Sequence, residues 1–112
     1  MITYEELIGM NIAVCSIAGE TSVVINEDNL KSALSVQQWY DDDRLLASAL
    51  IRSITIGHGF QDGNKRTAAI IGAIIKDYTC SEDDMIECIL DIAKGNLRNV
   101  DEIADILYPE GV

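Results

Sequence analysis

The chain is poor in several residue types, and each shortage excludes some classes of protein. It has one His, one Pro, one Phe and one Trp in 112 residues. Charges interrupt its apolar runs before any reaches the roughly 18 residues that a membrane span requires. The first six residues lack a basic segment and carry two acids, which argues against a secretory signal. These features predict a cytoplasmic protein without a membrane anchor.

The cysteines are too few and too scattered to form a disulfide framework. Cys15, Cys80 and Cys88 are an odd number of thiols, and no two of them lie in a Cys-x-x-Cys arrangement. None has a metal-ligand spacing with the single histidine. Because free cysteines usually behave as small buried hydrophobic residues, we expect three reduced and mostly buried thiols.

Basic residues are also scarce. Eight Lys and Arg stand against nineteen Asp and Glu, so the formal net charge is −11. General nucleic-acid binding needs a basic face that displaces counterions, and this composition argues against that class. A site for a phosphate-bearing ligand would have to gather some of the few cations locally, against the field of the whole chain.

What the chain does contain is helical patterning. Hydrophobic residues make up 48% of it, and no repeat or linker divides it, so residues 1–112 are predicted to form a single domain. Six helices with almost no strand predict an all-α domain. The predicted helices run from a Thr3 cap to about Ala18, from Asn26 to about Gln37, from Asp41–Asp43 to about Gly57, from Asn64 to about Tyr78, from Ser81 to Gly95 and from Asn99 to Pro109.

The first helix and the segment after it have clear local signals. Thr3 with Glu6 forms a capping box, and apolar residues that include Leu7, Ile12 and Ile17 follow it at helical spacing. The segment Gly19–Ile25 is short and rich in β-branched residues. This composition predicts an extended loop or a lone strand between the first two helices.

One nine-residue segment gathers features found nowhere else in the chain. The segment from His58 to Arg66, HGFQDGNKR, holds the only His, the only Phe and two of the eight basic residues, at the start of the fourth helix. The first amides of a helix have no acceptor within it, and with the helix dipole they form a site for phosphate. Gly63 lets the backbone approach a ligand or adopt a positive φ there.

The charged residues of this segment fit a phosphate ligand. The helix dipole disfavours cations in a first turn, and a bound anion would explain Lys65 and Arg66 there. Asp62 is a candidate ligand for Mg²⁺, and His58 is a candidate general base for a hydroxyl nucleophile. Each feature alone has an ordinary alternative, namely a capping histidine, a core Phe60, a solvated cation pair and a turn at Asp62-Gly63. Their clustering favours a site.

The segment resembles the signature loop of the Fic/Doc family, and most closely that of its Doc branch, His-x-Phe-x-Asp-x-Asn-Lys-Arg. All six fixed positions match, namely His58, Phe60, Asp62, Asn64, Lys65 and Arg66. The flanks are similar too, at Leu30–Leu34 and at Thr67-Ala68. The resemblance implies that the chain is one Fic/Doc-type bundle of about six helices with a short extended flap.

The resemblance also implies a toxin of a toxin–antitoxin pair that uses ATP and Mg²⁺. By this resemblance, His58 deprotonates a Ser or Thr hydroxyl of a target protein, and Asp62 binds Mg²⁺ that bridges the phosphates of the nucleotide. The residues implied to hold the nucleotide are Gly63, Asn64, Lys65 and Arg66. The implied target is elongation factor Tu, and the implied restraint is an antitoxin whose tail folds into a groove on the toxin.

Lys65 distinguishes two reactions within the family. Most Fic proteins transfer AMP and carry a glycine at this position, which leaves an anion hole open to the phosphate backbone. A lysine fills that space and adds a charge. In the Doc branch the lysine accompanies an inverted nucleotide and transfer of the terminal phosphate. The resemblance therefore implies a protein kinase, with AMP transfer (AMPylation) as the alternative.

Departures from the family pattern keep other interpretations open. Ile56 stands where relatives carry a basic residue, and Ile25 falls where an Arg is common. These lost charges favour a catalytically weakened interaction module with the same fold, and a helical bundle outside the family is a further alternative. Gly59 replaces a common proline, so we expect a more flexible start of the loop. Ser16–Glu20 begins like the family's inhibitory motif, but Thr21 breaks it, so we predict no built-in inhibition.

Overall fold

A computed structural model describes residues 1–110, and every regular element within them is helical. Six α-helices follow one another: α1 (Tyr4–Ala18), α2 (Glu27–Ser35), α3 (Asp43–Gly57), α4 (Asn64–Ile75), α5 (Glu82–Ala93) and α6 (Val100–Leu107). The prediction of an all-α fold with about six helices is confirmed. Positions 111 and 112 of the predicted 1–112 domain lie outside the described residues.

The predicted helix starts are confirmed by their caps. The Thr3 side chain accepts a hydrogen bond from the Glu6 amide, and the Glu6 carboxylate accepts one from the Thr3 amide, which completes the capping box. Side chains also accept from a first-turn amide at the other predicted polar caps, which are Asn26, Asp42, Ser81 and Asn99.

Helix α3 lies at the centre of the domain. It contacts α2, α4, α5 and α6, while α1 packs mainly on α4. Leu50 and Ile51 of α3 are completely buried, and Ile54 is nearly so. Burial of such a side chain stabilises the fold by about 1.5–3 kcal/mol. The loop that follows α3 therefore leaves from the best-packed element of the chain.

Two predicted helix ends are wrong. Helix α2 ends at Ser35 instead of about Gln37 and continues as a 3₁₀ turn, Val36–Trp39, because the Gln37 side chain turns inward. Its amide oxygen accepts from the Ile2 amide at 2.8 Å. Helix α4 ends at Ile75, since Tyr78 folds back to donate its hydroxyl to the Ala69 carbonyl at 2.6 Å.

The inward face of α1 also differs from its apolar pattern. Leu7 is completely buried, but the side chains of Ile12 and Ile17 are 52% and 89% exposed. The buried face instead includes Asn11 and Cys15, both completely buried. Asn11 donates to the Asp62 carbonyl at 2.9 Å, so α1 is oriented by a polar contact with the loop before α4.

Two general predictions can be compared with the structure. Within residues 1–110, no helix is both long enough and apolar enough to cross a membrane. All three cysteines are free, as predicted. Cys15 and Cys88 are buried, whereas Cys80 is only partly buried.

Candidate active site

The loop between α3 and α4, residues 58–63, is tied to the extended segment before α2. The amides of Ile25 and Asn26 both donate to the Gly59 carbonyl, at 2.8 and 3.0 Å. The Gln61 amide donates to the Val23 carbonyl at 2.9 Å, and Val24 forms a single antiparallel bridge with Phe60. The predicted extended segment therefore exists, and it pairs directly with the loop that carries the motif.

Gly59 does not have the role that we expected. It is buried, and a Cβ atom there would lie 2.4 Å from Leu30 Cδ2 and 3.0 Å from the Asn26 carbonyl oxygen. Real Cβ atoms do not come so close to other heavy atoms. The glycine allows the start of the loop to pack tightly on α2, and its carbonyl is held by two amides. A flexible loop start was the wrong expectation.

Phe60 and Asn64 hold the loop from within. Phe60 is completely buried and Asn64 is 5% exposed. The Phe60 amide donates to Asn64 Oδ1 at 3.0 Å, and Asn64 Nδ2 donates to the Phe60 carbonyl at 2.8 Å. The amide of Asn64 therefore fixes the loop backbone, a role that sequence reasoning missed. Its contact with a phosphate stays a prediction.

His58 ends α3 in an unusual conformation. Its φ and ψ are both 47°, and within residues 1–110 it is the only non-glycine residue with a positive φ. Such left-handed residues are uncommon and cluster at functional sites. The His58 side chain is exposed, and Asn64 Nδ2 lies 3.4 Å from its Nδ1 atom. The ring is thus presented at the surface, beside the start of α4.

The N-terminus of α4 differs from those of the other helices. Gly63 is its cap with φ of 78°, which is one of the two roles expected of this glycine, and no side chain accepts from the first-turn amides. A Cβ atom at Gly63 would lie 3.0 Å from Asn11 Nδ2. The other five α-helices each have an acid in the first turn, whereas α4 has none. The first turn of α4 therefore offers no acidic side chain to its own amides and dipole.

All six predicted site residues line one small cleft. Its volume is about 230 Å³, and we call it the motif cleft. Its lining residues are Glu20, His58, Gln61, Asp62, Gly63, Asn64, Lys65 and Arg66. The structure thus brings the candidate base, the candidate metal ligand and both cations to the uncapped end of α4.

Glu20 is the one acidic residue of the motif cleft that sequence reasoning did not place there. Its Oε1 atom lies 3.0 Å from Nη1 of Arg66. The backbone fixes its position, because Gly19 ends α1 with φ of 74° and the Glu20 amide donates to the Cys15 carbonyl at 2.8 Å. The partial inhibitory motif, Ser16–Glu20, was the only sequence signal for it.

A second and larger cleft adjoins the motif cleft. It has a volume of about 710 Å³ and lies between the end of α3, the start of α4 and the α5–α6 connection; we call it the basic cleft. His58, Asn64 and Lys65 line both clefts. The remaining lining residues of the basic cleft are Arg52, Thr55, Ile56, Ile92, Ala93, Lys94, Gly95 and Arg98.

Cys15 and Cys88 are not competing nucleophiles. Cys15 lies behind the motif cleft, where burial raises the pKa of its thiol and the Glu20 and Asp62 carboxylates raise it further. Burial likewise raises the pKa of Cys88 to about 12. Since the thiolate is the reactive form, both thiols stay protonated and inert near neutral pH.

The donor set can hold only part of a metal site. Within residues 1–110, no group of three or more His, Cys, Asp or Glu side chains is placed to hold a metal ion. Mg²⁺ usually binds through one or two carboxylates, with substrate phosphates completing its shell. Asp62 therefore fits a Mg²⁺ ion that arrives with a nucleotide, while the Glu20 carboxylate is paired with Arg66.

Comparison with known proteins leaves the family open. No protein-family model matches the chain, and no curated protein matches it significantly. The Fic/Doc resemblance therefore rests on the motif residues themselves and stays a prediction.

Proposed function

We propose that the chain is a cytoplasmic Doc-like toxin that transfers the terminal phosphate of ATP to a Ser or Thr hydroxyl of a protein, with elongation factor Tu as the target implied by resemblance. One observation carries the proposal. A strained, exposed histidine, a carboxylate and two cations meet at the only uncapped α-helix N-terminus in residues 1–110. This arrangement suits positioning and charge stabilisation of a phosphoryl group.

In the proposed reaction, the hydroxyl oxygen of the target forms a bond to the γ-phosphorus. The bond between that phosphorus and the oxygen bridging it to the β-phosphate breaks, and ADP leaves. His58 takes the hydroxyl proton. Lys65, Arg66 and the first amides of α4 stabilise the charge on the phosphate oxygens. Mg²⁺ held by Asp62 would supply further neutralisation of phosphate charge when bound.

Lys65 supports phosphate transfer over AMP transfer. Its side chain lines both the motif cleft and the basic cleft, so a lysine stands at the boundary where relatives that transfer AMP have an open glycine position. The added charge and volume favour binding of a terminal phosphate beside His58.

An antitoxin partner is part of the proposal. Apolar hollows flank both sides of α4, and Arg66 and Ala69 line both of them. Exposed apolar side chains border these hollows at Ile17, Ile70, Ile86 and Leu90. An amphipathic segment with an acidic residue opposite Arg66 would match this surface in both polarity and charge.

Intact-mass spectrometry of elongation factor Tu tests the proposal. The purified factor is incubated with the chain, ATP and Mg²⁺, and with His58→Ala as the control. We expect a mass gain of one phosphate that the variant does not produce. A gain of AMP would support the alternative reaction. If labelled ATP in whole lysate also modifies no protein, the chain is an interaction module and the proposal is wrong.

Replacing Glu20 with Gln should increase nucleotide affinity. An incoming phosphate must compete with the Glu20 carboxylate for Arg66, and exposed ion pairs are worth about 0.2–1 kcal/mol. We expect the Kd for ATP, measured by calorimetry, to fall by about two- to fivefold. Glu27→Gln removes an equally charged, ion-paired carboxylate on α2 and serves as the matched control. An unchanged or higher Kd in Glu20→Gln would contradict competition at Arg66.

A further inference from the structure

The basic cleft concentrates positive charge in a strongly acidic chain. Arg52, Lys65, Lys94 and Arg98 line it, which is half of the eight basic residues. The ion pairs within residues 1–110 involve only Lys31, Arg44 and Arg66 among the Lys and Arg side chains. The chain has nineteen Asp and Glu residues, yet within residues 1–110 none of them pairs with a cation of the basic cleft.

Backbone contacts hold the two arginines in place. Arg52 Nε donates to the Arg98 carbonyl at 2.7 Å, and Arg98 Nε donates to the Gly95 carbonyl at 3.1 Å. In residues 1–110, the Nη groups of both side chains make no hydrogen bond. A guanidinium anchored through Nε presents its remaining donors in a fixed plane, which suits bidentate binding of phosphate.

Thr55 adds an independent observation at the same cleft. The residue lines the basic cleft and is 5% exposed, and its Oγ1 atom is the only buried side-chain nitrogen or oxygen in residues 1–110 without a hydrogen-bond partner. Buried polar groups are rarely left unpaired. Thr55 follows Arg52 by three residues, so the two lie on one face of α3.

We infer that Arg52 and Arg98 bind the phosphate chain of the nucleotide and supply the positive charge that the resemblance leads us to expect at position 56. This inference rests on the proposed function and adds two binding residues to it. Arg52 precedes Ile56 by one helical turn and lines the same cleft. The guanidinium groups of Arg52 and Arg98, the latter in the α5–α6 connection, therefore replace the positive charge that Ile56 does not supply.

The shape of the basic cleft favours a nucleotide over a protein segment. A volume of about 710 Å³ lies within the usual range of small-molecule sites, roughly 300–1,000 Å³. Ile56, Ile92 and Ala93 form an apolar wall beside the cations, which suits a base next to its phosphates. The cleft meets the motif cleft at His58 and Lys65, where the terminal phosphate would be transferred.

Calorimetric titration of the full chain with ATP, adenosine and inorganic tripolyphosphate tests this inference. We expect Arg52→Gln and Arg98→Gln each to raise the Kd for ATP and for tripolyphosphate by about tenfold or more, because each removes a charge-assisted contact. Lys76→Gln, which removes an exposed cation outside both clefts, should change neither by more than about twofold. Arg52→Lys keeps the charge but loses the planar guanidinium, so its affinity should lie between those of the wild type and Arg52→Gln.

Several outcomes would overturn the inference. The first is that the wild type and both Gln variants bind ATP with equal affinity and have the same melting temperature. The second is that the wild type does not bind tripolyphosphate. An effect confined to the KM for elongation factor Tu would assign the cleft to the protein substrate instead. Arginine-dependent ATP binding without phosphate transfer would leave the inference standing and remove the proposed function. Phosphate transfer with an unchanged KM for ATP in Arg52→Gln and Arg98→Gln would overturn the inference and leave the proposed function standing.

Thr55→Val gives a second test with two readouts. The substitution keeps the shape of the side chain and removes the unpaired hydroxyl, so the melting temperature of the ligand-free chain should rise by about 4 °C. If the hydroxyl contacts the nucleotide, the same variant should bind ATP several-fold more weakly. Thr55→Ser keeps the hydroxyl and should retain the wild-type affinity for ATP. An unchanged affinity in Thr55→Val would overturn the assignment of this hydroxyl to the ligand.

Discussion

Replacing His58 with alanine is expected to slow phosphate transfer by about 100- to 10,000-fold, the usual contribution of a general base. In the proposed reaction His58 takes the proton of the attacking hydroxyl. Of the other groups nearby, the Glu20 carboxylate is paired with Arg66 and the Asp62 carboxylate is assigned to Mg²⁺. The Cys15 thiol has a raised pKa and is completely buried, and the Asn64 amide cannot act as a base. Single-turnover transfer to the target protein measures the effect directly.

The backbone at position 58 decides which control is needed. Alanine adopts a positive φ reluctantly, whereas asparagine does so more readily, so His58→Asn matches the conformation observed at 47°. Both variants should lose transfer while keeping the ATP affinity. His58→Asn should also keep the wild-type melting temperature, whereas the strained backbone should lower that of His58→Ala slightly. Wild-type transfer rates in either variant would show that His58 is only a helix cap, one of the ordinary interpretations of its position.

Truncating Phe60 to alanine should destabilise the domain by about 3–5 kcal/mol, the range for buried aromatic side chains. Phe60 is completely buried, and the loop around it pairs with Val24 and with the side chain of Asn64. A cavity at this point would remove the support of the loop backbone. Since domains are usually stable by only 5–15 kcal/mol, the loss would take up a large part of the total.

Urea unfolding of Phe60→Ala, followed by circular dichroism, measures this loss. Trp39→Ala is a suitable control, because the Trp39 side chain is 73% exposed and its truncation should change the free energy of unfolding by less than about 1 kcal/mol. Phe60→Leu should be intermediate between Phe60→Ala and the wild type. A loss below about 1 kcal/mol in Phe60→Ala would mean that the loop is not anchored by this side chain.

The distribution of charge has one consequence for the proposed site. A net charge of −11 repels nucleotides at long range, so binding depends on a few cations that lie close together. Arg66 is partly neutralised by Glu20, whereas the cations of the basic cleft have no acidic partner in residues 1–110. Nucleotide affinity should therefore depend more on the basic cleft than the motif alone would suggest.

Local features of this fold could be predicted from the sequence because they depend on neighbouring residues. The caps at Thr3, Asn26 and Asn99 involve contacts over three residues, and all three are present. The positive φ at Gly63 is a similar case, since glycine adopts it at no steric cost, although the close approach of Asn11 to this residue is tertiary. The errors at Gln37 and Tyr78 arose where a side chain bonds to a distant backbone group, which no local pattern shows.

The amino-acid pattern alone was enough to predict an all-helical fold and one cluster of chemically distinctive residues at an α-helix N-terminus without an acid. Which distant residues join that cluster became clear only from the packing of the helices. Glu20 and Arg66 are 46 positions apart, as are Arg52 and Arg98, and both pairs meet only after the helices pack. Such contacts depend on the orientation of whole helices, and that orientation is set by buried surfaces spread along the chain.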